Sequence, residues 1–369
     1  MKILEINKLY YPVIGGVETT TQQIAEDLNK KNDLSVEVLV CQIKGPRKIE
    51  NINGVTIYRA ASWGKKLGMP LSLDFFRLFL KIYKNYDLIL IHHPFPLVFL
   101  ILPFINPRNI VIFYHCDIVR QKFSKLLFLP FIKLGLKRAK KILVGGQNLI
   151  THSPLLKNLS DKCEIIPFGL RLTDYTLTPE IEIEARKIKQ QYLSPLILSV
   201  GRLVYYKGFQ YLITAMKNIS AQLIIIGEGP EKKYLDHLIK KYKLENKITV
   251  INHVSDLKPF YLASDLFVFP SCASSEAFGL TQLEAMVFGK PVINTQLPTA
   301  VPEVSLDQQS GYTVPIKNSE ALVEAINKLI NDEPLRIKLG ENAQQRVKDI
   351  FNKDLFNVKL ITVLKKLLE

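Results

Sequence analysis

Residues 265–294 read DLFVFPSCASSEAFGLTQLEAMVFGKPVIN. An apolar run, Leu266–Phe269, ends at Pro270 and a loop of small residues. A helical pattern, Leu280–Phe288, stops at Gly289-Lys290-Pro291, and a second apolar run, Val292–Asn294, follows at once. Short, near-continuous apolar strands joined through helices predict a parallel sheet covered on both faces. The alternation continues outward. The first half carries Ile3–Ile6, Val36–Val40, Val55–Tyr58, Leu88–Ile91, Ile110–Phe113, Ile142–Val144 and Glu164–Ile166; the second adds Leu196–Val200, Leu223–Ile226 and Ile248–Ile251. Helical patterns between them include Val17–Lys31, Phe209–Asn218, Glu231–Tyr242 and Glu320–Asn331, with Ser319 placed to N-cap the last.

About six strands per half is the size of one doubly wound domain, so an α/β chain with two Rossmann-like domains in tandem is expected. The expected division is residues 1–170, residues 171–352, and a C-terminal helix over 353–369 that is free to pack back on the first domain, with the hinge near Pro167–Leu177. Ligands of open α/β sheets bind outside the carboxyl ends of the strands, so two such domains are expected to face a cleft.

Composition narrows the class. The 369 residues are 47% hydrophobic and 22% charged, which excludes disordered, collagenous and disulfide-scaffold classes. Four cysteines without a CxxC pair (Cys41, Cys116, Cys163, Cys272) point to reduced thiols in a cytoplasmic protein. MKILEIN reads as a strand and lacks the layout of a cleavable signal. Residues 88–105, LILIHHPFPLVFLILPFI, hold two histidines and three prolines, so a buried strand and a short apolar helix are expected there, with no membrane span.

The net charge of +15 is uneven: residues 1–170 carry 24 basic against 12 acidic residues, and the remainder 25 against 22. Ile118–Lys141 holds eight basic residues, no acidic ones, and many Phe and Leu. Two readings stay open: a surface resting on anionic lipid, or a core-packed helix with solvated lysines. No nucleic-acid-binding motif accompanies the charge.

Four segments carry candidate chemistry. Tyr10–Val17, YYPVIGGV, follows the first strand and opens the first helix; Gly15-Gly16 permits close backbone approach to a ligand, or only a tight turn. Val200–Gly208, VGRLVYYKG, places Arg202 and Lys207 after a strand, where they suit a diphosphate or are simply solvated. Ser274–Met286 brings Glu276, the N–H groups of Phe278, Gly279 and Leu280, and Glu284 to one helix start. Carboxylates beside an anion site suit hydroxyl donors such as sugar diols; the alternative is a helix-start charge and a surface glutamate. Ile226–Pro230, IGEGP, is a turn that need be nothing more. His115 ends a strand, as a packed residue or a functional one. HExxH, Walker A, GxSxG and Asp-x-Asp patterns are absent, so no metal ligands are assigned.

The E-x7-E pair Glu276 and Glu284 with its inner FGL, the following EAM and GKPV, together with VGRLVYYKG, IGEGP and the early Gly-Gly loop, resembles the retaining glycosyltransferases of family 4, which have the GT-B fold. The motifs stand in the family's order over essentially the whole chain. The resemblance implies a nucleotide-sugar donor held mainly by the second domain and an acceptor held mainly by the first. It implies that Arg202 and Lys207 neutralise the diphosphate, that Glu276 holds sugar hydroxyls aided by Phe278, Gly279 and Leu280, and that Glu284 binds the ribose. Gly15 and Gly16 would admit the reacting sugar, His115 would contact it, and Glu228 and Val254, the latter in the Asn252–Asp256 turn, would lie near the nucleoside. It implies retention of configuration without metal or cofactor.

The wording is most similar to bacterial mannosyltransferases of O-antigen and exopolysaccharide (lipopolysaccharide) synthesis. That implies GDP-mannose as donor and a saccharide, free or on a polyprenyl diphosphate, as acceptor, with peripheral placement on the inner membrane face. Phe168-Gly169, where Asn-Gly is frequent, and Pro298–Val301 depart from the family wording. The alternatives are a UDP-sugar-dependent transferase of the same fold and a non-catalytic membrane- or polyanion-binding protein.

Overall fold

The structure, a computed structural model, describes residues 1–13, 15–66, 68–105, 109–118, 122–192 and 195–368, and of 122–126 the backbone only. Among these residues the chain forms two compact units, Met1–Ile166 with Asn357–Glu369, and Pro167–Phe356. The strands of the first unit are β1 (Lys2–Ile6), β2 (Ser35–Cys41), β3 (Lys48–Ile52), β4 (Val55–Ala60), β5 (Lys65–Lys66), β6 (Met69–Pro70), β7 (Leu88–His93), β8 (Ile110–Tyr114), β9 (Lys141–Val144) and β10 (Cys163–Ile165). Apart from the small β5–β6 ribbon they make one sheet, ordered β10-β9-β8-β7-β1-β2-β4-β3. Every residue of β7 and β8 is buried, which is why these strands read as unbroken apolar runs.

Besides the antiparallel β5–β6 ribbon, one pairing in this sheet departs from the all-parallel expectation. β3 is antiparallel to β4, joined through Asn53 (φ 51°) and Gly54 (φ 81°). An Asn-Gly pair with both φ values positive is the favoured two-residue hairpin turn. The strand KIENI is charged and half exposed, as suits a sheet edge, and so it lacks the apolar run that marks the other strands.

The second unit holds β11 (Leu196–Val200), β12 (Gln222–Ile226), β13 (Ile248–Ile251), β14 (Leu266–Val268), β15 (Val292–Thr295) and β16 (Gly311–Val314), all parallel, in the order β13-β12-β11-β14-β15-β16. In each sheet the winding reverses once, between β1 and β7 and between β11 and β14. Loops leaving such a pair of strands diverge and leave a crevice at their carboxyl ends.

Residues 88–105 form β7, the helix Pro96–Ile101 and the turn Leu102–Phe104, and among the described residues no helix is long and apolar enough to cross a membrane. The helix Lys122–Arg138 buries Phe128, Ile132 and Leu136, one turn apart, and packs Gly135 against the Phe99 ring. Leu127, Lys133, Leu134 and Lys137 stay exposed. Of the basic stretch 118–141, residues 119–121 and the side chains of 122–126, Arg120, Lys122 and Lys125 among them, lie outside the described residues, as does Ile14 in the Gly-Gly loop.

The N-cap expected at Ser319 is a correction. Asn318 caps the helix Ser319–Asn331, accepting from Ala321 N–H at 3.0 Å, while the Ser319 hydroxyl donates to Tyr211 O at 2.9 Å. Both residue types cap well, and the tertiary contact draws Ser319 into the first turn. The final helix, Lys353–Lys366, returns to the first unit, where Asn357 bonds Asp27 at 3.2 Å and Lys365 pairs with Asp33.

Behind the second sheet's carboxyl edge lies a buried amide. Asn294 Nδ2 donates to Gln282 Oε1, Val301 O and Ser305 O at 3.0–3.1 Å, and its Oδ1 accepts from Thr313 at 2.8 Å. Asn294→Ala takes the partner from Gln282 Oε1, Ser305 O and the Thr313 hydroxyl, leaves Val301 O only its 3.4 Å bond from Gln282, and should lower stability by about 3 kcal/mol. A shift of the urea midpoint at unchanged m would measure it.

Candidate functional site

In the second unit the site is built on the loops leaving β11, β12 and β14. The β11 loop packs against both neighbours through glycines. A Cβ on Gly208 (φ +72°) would stand 1.9 Å from Pro270 O, and one on Gly227 (φ +155°) 1.9 Å from Gly201 O. Only glycine meets both the backbone angle and the contact. Cys272 N–H donates to Tyr206 O at 2.7 Å, and Leu203 N–H to Glu228 O at 2.8 Å. IGEGP is therefore a turn with a packing role, and it leaves the Glu228 side chain exposed.

This packing brings Lys207 to Glu276. Their charged groups meet at 2.5 Å, with only 12% and 11% of the side chains exposed. Ser271 donates to the same carboxylate oxygen at 3.2 Å, and the ammonium lies 4.7 Å from the centre of the Phe269 ring. Arg202 is exposed, and Val254 is half-buried on the loop after β13.

Gly279 (φ +83°) caps the helix Leu280–Val287, and a Cβ there would strike the Phe269 ring and the Gln282 amide. At this helix start Gln282 N–H donates to Gly279 O at 2.9 Å, and the N–H groups before it have no partner one turn back within the helix. Phe278 is buried edge-on against Phe168 and Phe351, so its ring is a packing element while its backbone borders the site.

Glu284 is not a surface residue. Tyr261 donates to its carboxylate at 2.7 Å and Tyr175 at 3.4 Å. Burial raises the Glu284 carboxyl above the ordinary range, and the two hydroxyls oppose that rise. Phe288 stacks on Tyr261 at 5.9 Å. Neither tyrosine was singled out from sequence, because each reaches Glu284 only through the tertiary fold.

In the first unit Gly15 and Gly16 start the helix Gly16–Asn29. A Cβ on Gly15 would come within 2.3 Å of the Glu18 carboxylate, whereas one on Gly16 would meet nothing within 4 Å. A side chain at the first glycine would have to displace only the far end of a flexible one, and at the second it would meet nothing. Arg59 ties this loop to β4 by donating to Tyr11 O.

His115, just past β8, is buried and ends a chain of polar contacts across three strands. His115 Nε2 lies 2.8 Å from His92 Nδ1, and His92 Nε2 lies 2.6 Å from Glu5 Oε1. An ionised Glu5 can only accept, so it takes His92 Nε2–H; His92 then accepts at Nδ1, and in that state the proton of the second contact belongs to His115. Sequence singled out His115 alone. Glu5 and His92 sit inside apolar runs, and their polarity was the available signal.

Burial pushes His92 down from 6.5 to about 3, and His115 moves the same way. The folded chain holds both rings neutral, while the unfolded chain protonates them below pH 6.5. Above that pH the two states bind the same protons at these rings, and as pH falls toward 3 only the unfolded chain gains them, so stability drops by up to about 1.4 kcal/mol per pH unit for each ring. Denaturant melts between pH 7 and 4 should show this slope, and His92→Gln should flatten it.

Comparison with known proteins converges on one family. Residues 14–173 match the Glycosyltransferase Family 4 domain, and residues 181–346 match Glycosyl transferases group 1. The chain is 29% identical to O-antigen chain mannosyltransferase C of Escherichia coli, over 96% of this chain and 95% of that one. It is 26% identical to D-rhamnosyltransferase WbpZ of Pseudomonas aeruginosa, over 95% and 92%. Among solved structures, sucrose-phosphate synthase of Thermosynechococcus elongatus superposes with a TM-score of 0.82 at 22% identity, covering 99% of this chain and 98% of that one. Anabaena HepE in complex with UDP gives 0.82 at 21% identity, covering 99% and 100%. With the two domain matches in order along a chain built of two such sheets, the protein belongs to the family 4 glycosyltransferases of GT-B fold.

Proposed function

We propose that the protein transfers a hexose, mannose from GDP-mannose, with retention of configuration, to a saccharide or polyprenyl-diphosphate-linked saccharide acceptor in cell-surface polysaccharide synthesis. The observation that carries this reading is the pairing of Lys207 with Glu276 where β11 and β14 part. A cation there suits the donor's diphosphate, and a carboxylate suits the hydroxyls of its sugar. The mannosyl- and rhamnosyltransferase relatives support the choice of sugar.

In this reading Lys207 and Arg202 stabilise the negative charge that grows on the leaving nucleoside diphosphate, the term that most lowers such barriers. The first N–H groups of the helix Leu280–Val287, with those of Phe278 and Gly279, add to it. Glu276 accepts from sugar hydroxyls. Glu284, steadied by Tyr261 and Tyr175, accepts from the ribose. Glu228 and Val254 border the base. The open flank of Gly16 admits the sugar, and His115, its proton placed by His92, contacts it. The leaving diphosphate draws the acceptor proton on the same face, so the reaction needs no cofactor and no metal.

A thermal-shift panel of GDP, UDP, ADP and dTDP with their sugar conjugates tests the donor. A ligand at a hundred times its Kd stabilises by about 2.7 kcal/mol. GDP and GDP-mannose should raise Tm, and Lys207→Ala should abolish the shift. In turnover assays Lys207→Ala and Glu276→Gln should each lower kcat/KM by about 10²-fold or more, with EDTA without effect and the product anomer matching the donor's. Stabilisation by UDP conjugates alone would move the donor to a UDP-hexose. No shift with any nucleotide would leave a non-catalytic binder of membranes or polyanions.

The exposed Leu127, Lys133, Leu134 and Lys137, beside an exposed Phe104, support peripheral association with the inner membrane face through anionic lipid. The chain should sediment with phosphatidylglycerol vesicles at low salt and be released as salt rises. Absence of binding at low salt would reject this placement.

A further inference from the structure

Tryptophan occurs once in the chain, at Trp63, and its side chain is 70% exposed. The position is held, not frayed. Gly45 and Ser62 exchange both backbone bonds at 2.9 Å, Trp63 N–H donates to Leu71 O at 3.1 Å, and Leu71 N–H donates to Gly64 O at 2.8 Å. Asp74 accepts from Ala61 N–H at 2.8 Å and from Arg47 Nε at 3.0 Å, which joins the loop after β2 to the loop after β4. A segment so fully bonded through its backbone has no need of a large aromatic ring in water, and burying that ring is where its free energy lies.

The indole borders a cavity of about 570 Å³ lined by Lys44, Arg47, Ser62, Trp63, Asp74 and Arg77. Pockets for small ligands span roughly 300–1,000 Å³. Three cations face one carboxylate there. Arg47 pairs with Asp74 and holds its carboxyl below the usual range, so the groove keeps a net positive charge through Lys44 and Arg77. β2 and β4 are parallel neighbours, with Cys41 beside Ala60, so both loops leave the same carboxyl edge that carries the Gly15-Gly16 loop. Arg59, near the end of β4, bonds that loop directly.

We infer that this groove is a subsite for a sugar phosphate, with a pyranose ring on the Trp63 indole and its phosphate or diphosphate on Lys44 and Arg77. The inference rests on the transferase reading, in which it supplies a seat for the acceptor. The chemistry selects this class: the C–H face of a pyranose packs on an aromatic plane, and an oxyanion needs the two cations. A neutral sugar leaves the cations unused, and free phosphate leaves the indole in water.

Because Trp63 is the only tryptophan, fluorescence excited at wavelengths that tryptophan absorbs and the 15 tyrosines do not reports this groove alone. The probes are a farnesyl-diphosphate-linked hexose, farnesyl diphosphate, a neutral hexose disaccharide, and GDP or UDP. The linked hexose should change the Trp63 emission, binding at least tenfold tighter than farnesyl diphosphate or the disaccharide. Lys44→Ala with Arg77→Ala should weaken it at least tenfold. Trp63→Ala should raise the KM for this acceptor at least tenfold, with the donor KM and the urea midpoint unchanged. Farnesyl diphosphate binding as tightly as the linked hexose, or nucleotide alone perturbing Trp63, overturns the inference. So does a silent Trp63 in a chain that binds and turns over its donor. A chain that binds no nucleotide fails the transferase reading separately, by thermal shift.

Discussion

The second unit depends on the adjacency of β11 and β14. From β11 the chain winds one way through β12 and β13, then returns to start again on the other side with β14, β15 and β16. Parallel strands need crossovers, and each crossover helix covers one face of the sheet. Where the direction reverses, no crossover bridges the two strand ends. The loops after β11 and β14 are therefore the pair left free to build a site, and residues 207 and 276, far apart in sequence, come into contact there. Gly208 is a consequence of that arrangement, since the loops after β11 and β14 meet so closely that no Cβ fits between them, and Gly227 plays the same part between the loops after β12 and β11.

The contact between Lys207 and Glu276 has its own logic. Two largely buried opposite charges gain little net stability over apolar residues, because desolvation opposes their attraction, but removing one leaves the other uncompensated. Such a pair is tolerable at a binding site for a different reason. A ligand that brings both an anion and hydroxyl donors can take over each partner in turn, so both charges remain satisfied with the site empty or filled. The Ser271 hydroxyl bonds the carboxylate and the Phe269 ring faces the ammonium, which holds the two groups in place.

Strands buried on both faces announce themselves as apolar runs, and nearly all of the two sheets was legible for that reason. β3 and β16 were not: both are edge strands, β3 keeping charged residues although Asn53-Gly54 marked its turn, and β16, GYTV, being short and only half buried. The spacing of Glu276 and Glu284 was legible as a motif. The state of Glu284 was not, since Tyr175 and Tyr261 reach it from a 3-10 turn and a helix that share no local pattern with it. Local propensity likewise allowed Ser319 or Asn318 to cap their helix, and the bond from Ser319 to Tyr211 O decided between them.

The polar chain from Glu5 to His115 shows how a strand's period of two hides such a feature and also makes it possible. Alternate residues face opposite sides of a sheet. In the first sheet Leu4, Ile6, Ile89, Ile91, Ile112 and Tyr114 belong to one apolar core cluster. The intervening positions Glu5, His92, Phe113 and His115 lie on the other side, where the rings of His92, Phe113 and His115 stack within 5.8 Å of one another. In sequence, one glutamate and one histidine among isoleucines look like interruptions of a strand. In three dimensions β1, β7 and β8 lie side by side, so each interruption finds the next across one strand spacing. A buried carboxylate and two neutral imidazoles are affordable only as a connected set, because each alone would be an unsatisfied polar group in the sheet. The set ends at the carboxyl edge of β8, which places its last member, His115, where a ligand of this sheet would be met.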